Sequence, residues 1–226
     1  METDFKVTVL GAINEVRRKS KIGNAASIDA DSDSRLKLDY LNDVIADLAD
    51  YGDWQELYAE AIVSVQTSVR DYAVSGVVVQ SVAEISISTR QAALQLCDIE
   101  EIRMLQRVNG TGSPYHWSLK GINGEGNPII TFDRWPTASE TGYFKVCYYE
   151  KPVAYTTADA SAMIPFPSRV VVQGLLAKTI LDESDGEPTE RFKLNQLIYE
   201  DMKDQSFNRF NGDTGGNTNF VPGRRR

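Results

Sequence analysis

Apolar residues recur every three to four positions at both ends of this chain, whereas the middle alternates and is rich in β-branched residues. A 3.6-residue period lays apolar side chains on one face of a helix, and a two-residue period lays them on one face of a strand. The order helices, strands, helices therefore constrains the fold before any motif is considered. Val7, Leu10, Ile13 and Val16 form the first stripe, with Asp4 placed to cap it and Arg17, Arg18 and Lys19 suited to the negative end of the helix dipole. Gly23 and Asn24 stop that helix. After a polar link at 25–34, Leu38, Leu41, Ile45 and Leu48 share one face of a second helix that Gly52 ends, which predicts a helical hairpin.

From Trp54 onward the pattern changes. Residues 62–66, 71–74 and 77–88 read as strands, with a turn at Ser75 and Gly76. Asp98 followed by Glu100 and Glu101 is a capping-box variant that predicts a short helix through Met104 and Leu105. Strand signals resume at 115–119, 128–132 and 143–149, separated by glycine-rich turns at 121–126 and Gly142. Helix returns after Pro165 and Pro167, and 170–181 is apolar nearly all round, as in a helix buried on most sides. Asp185 and Gly186 break it, and Leu194, Leu197, Ile198 and Met202 form the stripe of a last helix.

The predicted fold is α+β. A helical unit is built from 1–53 and 156–204, an antiparallel β-rich domain at 54–155 is inserted into it, and an extended C-terminal arm at 205–226 has no apolar period.

Composition narrows function. The 226 residues carry 24 Lys plus Arg against 32 Asp plus Glu, a net charge of -8, which disfavours a tight grip on a nucleic-acid backbone. No run reaches the ~18 apolar residues of a membrane span, and residues 1–6 lack a signal-peptide pattern. The single His excludes a His-ligated zinc cluster and leaves His116 as the one imidazole base. Cys97 and Cys147 have no CxxC context, and their pairing stays open.

Most local motifs have plain readings. Asp29, Asp31 and Asp33 imitate the start of a calcium loop, but Ser34 and Tyr40 stand where such a loop needs Gly and a bidentate Glu, so a capped linker is expected. Four carboxylates at 182–187 read as a solvated turn, and Gly121, Gly124 and Gly126 as a hairpin rather than a phosphate loop. Tyr143, Phe144, Tyr148, Tyr149, Tyr155 and Trp135 suit a sheet core, or a surface for carbohydrate or a partner. The basic end, Arg224, Arg225 and Arg226, suits ordering in an acidic pocket of a protein partner. No catalytic constellation, metal site or cofactor motif is recognised, and the chain is read as a non-enzyme.

The layout resembles the head-to-tail adaptor (connector or head-completion) proteins of tailed bacteriophages, especially short-tailed ones. The residues that carry the resemblance are LKLDYLNDVIADL at 36–48, Trp54, RDYAV at 70–74, the aromatic block YFKVCYYEKP at 143–152 and IPFPS at 164–168 opening an apolar helix. It implies a virion neck protein, assembled in the host cytoplasm, that forms a homo-oligomeric ring (commonly a dodecamer) beneath the portal protein ring. Packaged DNA would pass through its channel without sequence-specific binding, and no membrane would be involved. Tail or nozzle proteins would be further partners. The arm would dock on the portal through Phe207, Arg209, Phe210, Phe220, Arg224, Arg225 and Arg226. Two other readings stay open: a β-domain module recognising a tail protein or carbohydrate, and a hydrolase using His116.

Overall fold

The structure, a computed structural model, describes residues 6–74, 79–87, 93–125, 127–137 and 143–212. They form five α-helices and seven strands: α1 (Val9–Lys19), α2 (Ser32–Tyr51), β1 (Tyr58–Ser64), β2 (Asp71–Ala73), β3 (Val79–Ile87), β4 (Gln95–Leu96), α3 (Ile99–Val108), β5 (His116–Ile122), β6 (Pro128–Phe132), β7 (Tyr143–Glu150), α4 (Ser168–Glu183) and α5 (Glu190–Gly212). The α+β class expected from the periodicity is the class observed. The chain divides into two compact units, 1–56 with 153–226 and 57–152.

In the helical unit, Val9, Ala12, Ile13 and Val16 of α1 are buried, and so are Leu38, Leu41, Ile45 and Leu48 of α2. The start of α1 differs from expectation. Thr8, not Asp4, caps it, its hydroxyl accepting the Gly11 N–H at 3.1 Å; Asp4 lies outside the described residues. A β-branched hydroxyl next to the first helical residue satisfies an orphan N–H, and the extended backbone ahead of it stays free to pair. It does so: the Val9 N–H donates to the Ala162 carbonyl at 3.0 Å and the Ile164 N–H to the Val7 carbonyl at 2.9 Å. The two ends of the chain are thus hydrogen-bonded backbone to backbone.

Arg17 fixes α1 to α2. Its side chain is 7 % exposed, its Nε donates to the Gly23 carbonyl at 2.8 Å, and its Nη1 reaches Asp31, Asp33 and Ser34 at 2.8, 2.9 and 2.8 Å. Asp31 in turn caps α2, accepting the Ser34 N–H at 2.7 Å. The Arg17 guanidinium and the Ser34 N–H hold the Asp31 carboxyl well below its ordinary range, at about 2.

Helix α4 is buried on almost every side, from Val170 and Val171 through Leu175, Ala177 and Ile180. Gly174 sets how closely its neighbours approach, because a Cβ there would lie 2.7 Å from Tyr199 Cε2 and 2.8 Å from Val44 Cγ1. The turn into α5 uses Asp185 and Gly186 at φ 53° and 79°.

Helix α5 departs from expectation in face and in length. Leu194 and Leu197 are 58 % and 69 % exposed, whereas Tyr199 and Lys203 are buried. The inward face is polar because the buried Tyr199 and Lys203 find a half-exposed acceptor in Asp47 of α2: the Tyr199 hydroxyl donates to its Oδ2 at 2.6 Å and Lys203 Nζ at 3.2 Å. Burial and this hydrogen bond push the Tyr199 phenol far above its usual range. The helix also continues past 204 to Gly212, so residues 205–212 are helical rather than part of an extended arm.

The β-rich unit holds two sheets, ordered β1-β7-β3 and β2-β6-β5-β4. Pairing is antiparallel except between β4 and β5, a two-residue parallel contact that an all-antiparallel expectation misses. Phe132 of β6 and Phe144 of β7 stack at 4.3 Å, and the Tyr72 ring meets both edge-on at 5.7 and 5.3 Å. Ile85, Trp117, Ile130 and Val146 complete this core. Cys97 and Cys147 are buried free thiols. Helix α3 forms where expected, but the Asp98 side chain makes no capping hydrogen bond, so the capping-box reading is corrected to a helix without a side-chain cap.

Two outcomes follow from the helical unit. Gly174→Ala gains helix propensity but forces Tyr199 or Val44 aside, so urea unfolding should show a net loss of about 1–3 kcal/mol. Equal stability would mean that the helices do not approach as closely as described. Asp31 has its pKa depressed by folding, so its contribution is complete above the unfolded value of 3.8 and fades as pH falls toward about 2. Asp31→Asn should lower the melting temperature at pH 7 and flatten its pH dependence between about pH 4 and 2; an unchanged acid limb would contradict the Arg17–Asp31 assignment.

Candidate functional site

The expected contact residues begin on the last turns of α5. Phe207 packs edge-on against Tyr51 at 5.2 Å and Trp54 at 5.3 Å. Trp54 is fully buried, donates its indole N–H to the Leu48 carbonyl at 2.6 Å and meets Phe166 edge-on at 5.4 Å. By these contacts Trp54 belongs to the helical unit, not to the β-rich region whose start it marks in the sequence pattern. Gly52 makes room: a Cβ there would sit 2.5 Å from Phe207 Cζ. The Tyr51 hydroxyl donates to Asp204 on the same turn. Lys203 Nζ lies 4.9 Å over the Tyr51 ring and is 2.7 Å from Glu200. Burial alone would lower the Lys203 pKa, but Glu200 and Asp47 hold it above its ordinary value.

Phe207 is therefore a packed anchor at the root of the C-terminal segment. Arg209 and Phe210 lie on the last turn of α5, with side chains outside the described set. Phe220, Arg224, Arg225 and Arg226 lie outside the described residues altogether. The structure thus brings one of the seven expected contact residues into a defined environment. The signal that would have extended α5 is the spacing Tyr199, Lys203 and Phe207, a four-residue repeat with one charged member that apolar counting skips.

The outer face of the helical unit is acidic where α2 meets solvent. Asp39, Asp43 and Asp50 are exposed at helical spacing, with Lys178 3.2 Å from Asp43. Tyr40 donates to Asp182, and burial first, then that carboxylate, pushes its phenol up to about 12. Glu183 pairs with Arg191 at 3.7 Å, so the 182–187 acids border an ordinary helix–helix turn. The calcium-like carboxylates Asp31 and Asp33 are committed to Arg17.

In the β-rich unit, His116 Nδ1 lies 3.3 Å from Asp133 Oδ2. Asp133 is fully buried; its Oδ1 accepts the Tyr115 and His116 N–H groups at 3.0 and 3.2 Å, and Asn109 Nδ2 reaches Oδ2 at 3.4 Å. This is a buried carboxylate tying the start of β5 to the end of β6 and of α3. Sequence reasoning missed it because Asp133 stands 17 residues from its partner. A hydrolytic triad also needs an activated nucleophile against the imidazole. Ser113 Oγ is buried without any hydrogen-bond partner, and burial and Glu101 push the Cys97 thiol up to about 11, away from the thiolate. The pair acts as a structural link. Among the described residues, no group of three or more His, Cys, Asp or Glu could hold a metal ion, and no helix is long and apolar enough to cross a membrane.

The aromatic block divides. Phe144 and Tyr148 are in the sheet core, Tyr149 meets Tyr58 edge-on at 5.8 Å, and Trp135 lies under Arg70. The sheet-core reading accounts for Phe144 and Tyr148, Tyr155 is half-buried, and the Tyr143 side chain lies outside the described residues.

No curated protein matches the chain. The family model described as SU10 adaptor protein matches residues 7–226, and the chain belongs to that family of structural bacteriophage head-to-tail adaptors.

Proposed function

We propose that this adaptor forms a homo-oligomeric ring, commonly of twelve subunits in proteins of this layout, beneath the portal ring of a short-tailed phage. The ring joins the packaged head to tail or nozzle proteins and extends the DNA channel through the neck, assembling in the host cytoplasm. The observation that carries this reading is α5. It is fastened to α2 through Asp47 and to Trp54 through Phe207, and it leads directly into the segment bearing Phe220, Arg224, Arg225 and Arg226. A rigid root followed by an aromatic and basic tail suits docking into an acidic, partly apolar groove of the portal, with Arg209 and Phe210 as the first contacts.

Two further features support the ring. Leu194 and Leu197 present adjacent apolar side chains on the outer face of α5, surface that a neighbouring subunit would cover. The exposed acids of α2 offer DNA a like-charged wall, which disfavours persistent phosphate contacts and lets the duplex slide. The β-rich unit is the natural partner for tail components.

The test is negative-stain imaging of the protein mixed with its purified portal rings, using the full chain and a variant ending at Gly212. The full chain should add a ring layer to the portal. The shortened chain should keep its melting temperature, because Phe207 and the rest of α5 remain, yet fail to add the layer. A layer that persists without 213–226 would remove the docking role from that segment, and no layer with the full chain would contradict the portal adaptor reading.

A further inference from the structure

Arg70 stands just ahead of β2 with its guanidinium 3.4 Å above the Trp135 ring centre. Its Nη1 is enclosed by protein and has no hydrogen-bond partner. An arginine nitrogen buried without an acceptor is costly, and native proteins rarely leave one so unless something else satisfies it. Stacking on an indole uses the face of the guanidinium and leaves its edge donors for a coplanar anion.

The surroundings are built for that anion. A pocket of about 470 Å³ is lined by Arg70, Arg103, Lys120, Asp71, Ile99 and Trp135 among others. Three cations face one carboxylate, the reverse of the chain as a whole. That carboxylate is already engaged, because Lys120 donates to Asp71. Arg103 leans on Glu100 at 2.6 Å, an exposed contact that a stronger acceptor readily replaces. Ile99 and Trp135 supply an apolar wall beside the charged end.

We propose that this pocket receives a glutamate side chain on an acidic segment of a partner protein, with the carboxylate on Arg70 and the methylene stem against Trp135 and Ile99. A carboxylate accepts from those guanidinium donors of Arg70 that line the pocket, and the short aliphatic stem matches the apolar wall. A nucleic-acid backbone fits less well. It is read by long basic stripes, and this is one recess with Asp71 in its wall. The inference deepens the adaptor reading by giving the chemistry of the β-rich unit's partner, and it rests on that unit meeting a partner at all. Its test uses no portal, so its failure would leave the portal-docking reading standing.

The pocket contains its own reporter. Of the three tryptophans, Trp54 and Trp117 are enclosed and Trp135 is 36 % exposed. Titrating the full-length protein with capped hexaglutamate, at low salt, should change tryptophan emission saturably, and added salt should weaken the response. Arg70→Gln should weaken binding about tenfold or more, the loss expected for a charge-assisted hydrogen bond. Arg103→Gln, at an exposed residue whose loss should leave the melting temperature unaltered, should weaken it several-fold, so the test survives if the first variant fails to fold. No saturable response, or equal responses from both variants and the parent, would overturn the proposal. Tighter binding of a thymidine hexanucleotide than of hexaglutamate would replace it with a nucleic-acid site.

Discussion

The Asp47 carboxylate is the hinge on which the helical unit depends. It sits on α2, from the first quarter of the chain, and is held by Tyr199 and Lys203 on α5, from the last. Residues 57–152 form a separate compact unit, so the two halves of the helical core must find each other across a long insertion. Loop closure over such a distance costs entropy, though only logarithmically with length. The cost is met by a seam of several kinds. Backbone bonds join 7–9 to 162–164, the Asn42 amide makes reciprocal bonds with the Tyr155 backbone at 2.9 and 2.8 Å, and Gly174 lets Val44 and Tyr199 close over α4. A buried ammonium and a buried phenol that share one carboxylate are also specific: sliding α5 by one residue would take both from Asp47 and leave the buried Lys203 charge without its interhelical partner.

That seam explains where sequence reasoning succeeded and where it did not. Helices α1, α2 and α4 were legible because their burial is apolar and local, and a 3.6-residue period records it. A cap from the 25–34 linker was expected and Asp31 supplies it, whereas the caps expected at Asp4 and Asp98 give way to Thr8 and to a helix start without a side-chain cap. The inner face of α5 was not. Its inward members are a buried tyrosine, a buried lysine and a half-buried phenylalanine, set by Asp47, Tyr51 and Trp54, which stand about 150 residues away, while its leucines point outward. Burial of a lysine is chosen by a partner, and no periodicity in one segment contains the partner. The same limit hid the Asp133 link to His116 and the seating of Arg70 on Trp135. Each joins residues from different strands or loops. The β-rich unit was readable as strands, but its two-sheet order and the parallel β4–β5 contact depend on pairing choices that local alternation does not encode.

Function divides along the same line. The family places the chain in the phage neck as a structural adaptor, and the unit built from both chain ends gives that role a firm frame. Its last helix runs to Gly212 and is fastened to α2 and Trp54. The β-rich unit has its own core and its own charged recess, of opposite sign to the chain's acidic surface. One polypeptide thus carries two compact units, each with its own core. Joining two different neighbours is what a connector requires.

The central claim, that the two ends of the chain form one cooperative body, is most directly tested by native-state hydrogen exchange. The account predicts that the buried amides of α1, α2, α4 and α5 open together, with one common free energy and one common denaturant dependence, distinct from those of the β-rich unit. Exchange in which α1 and α2 open independently of α4 and α5 would contradict it.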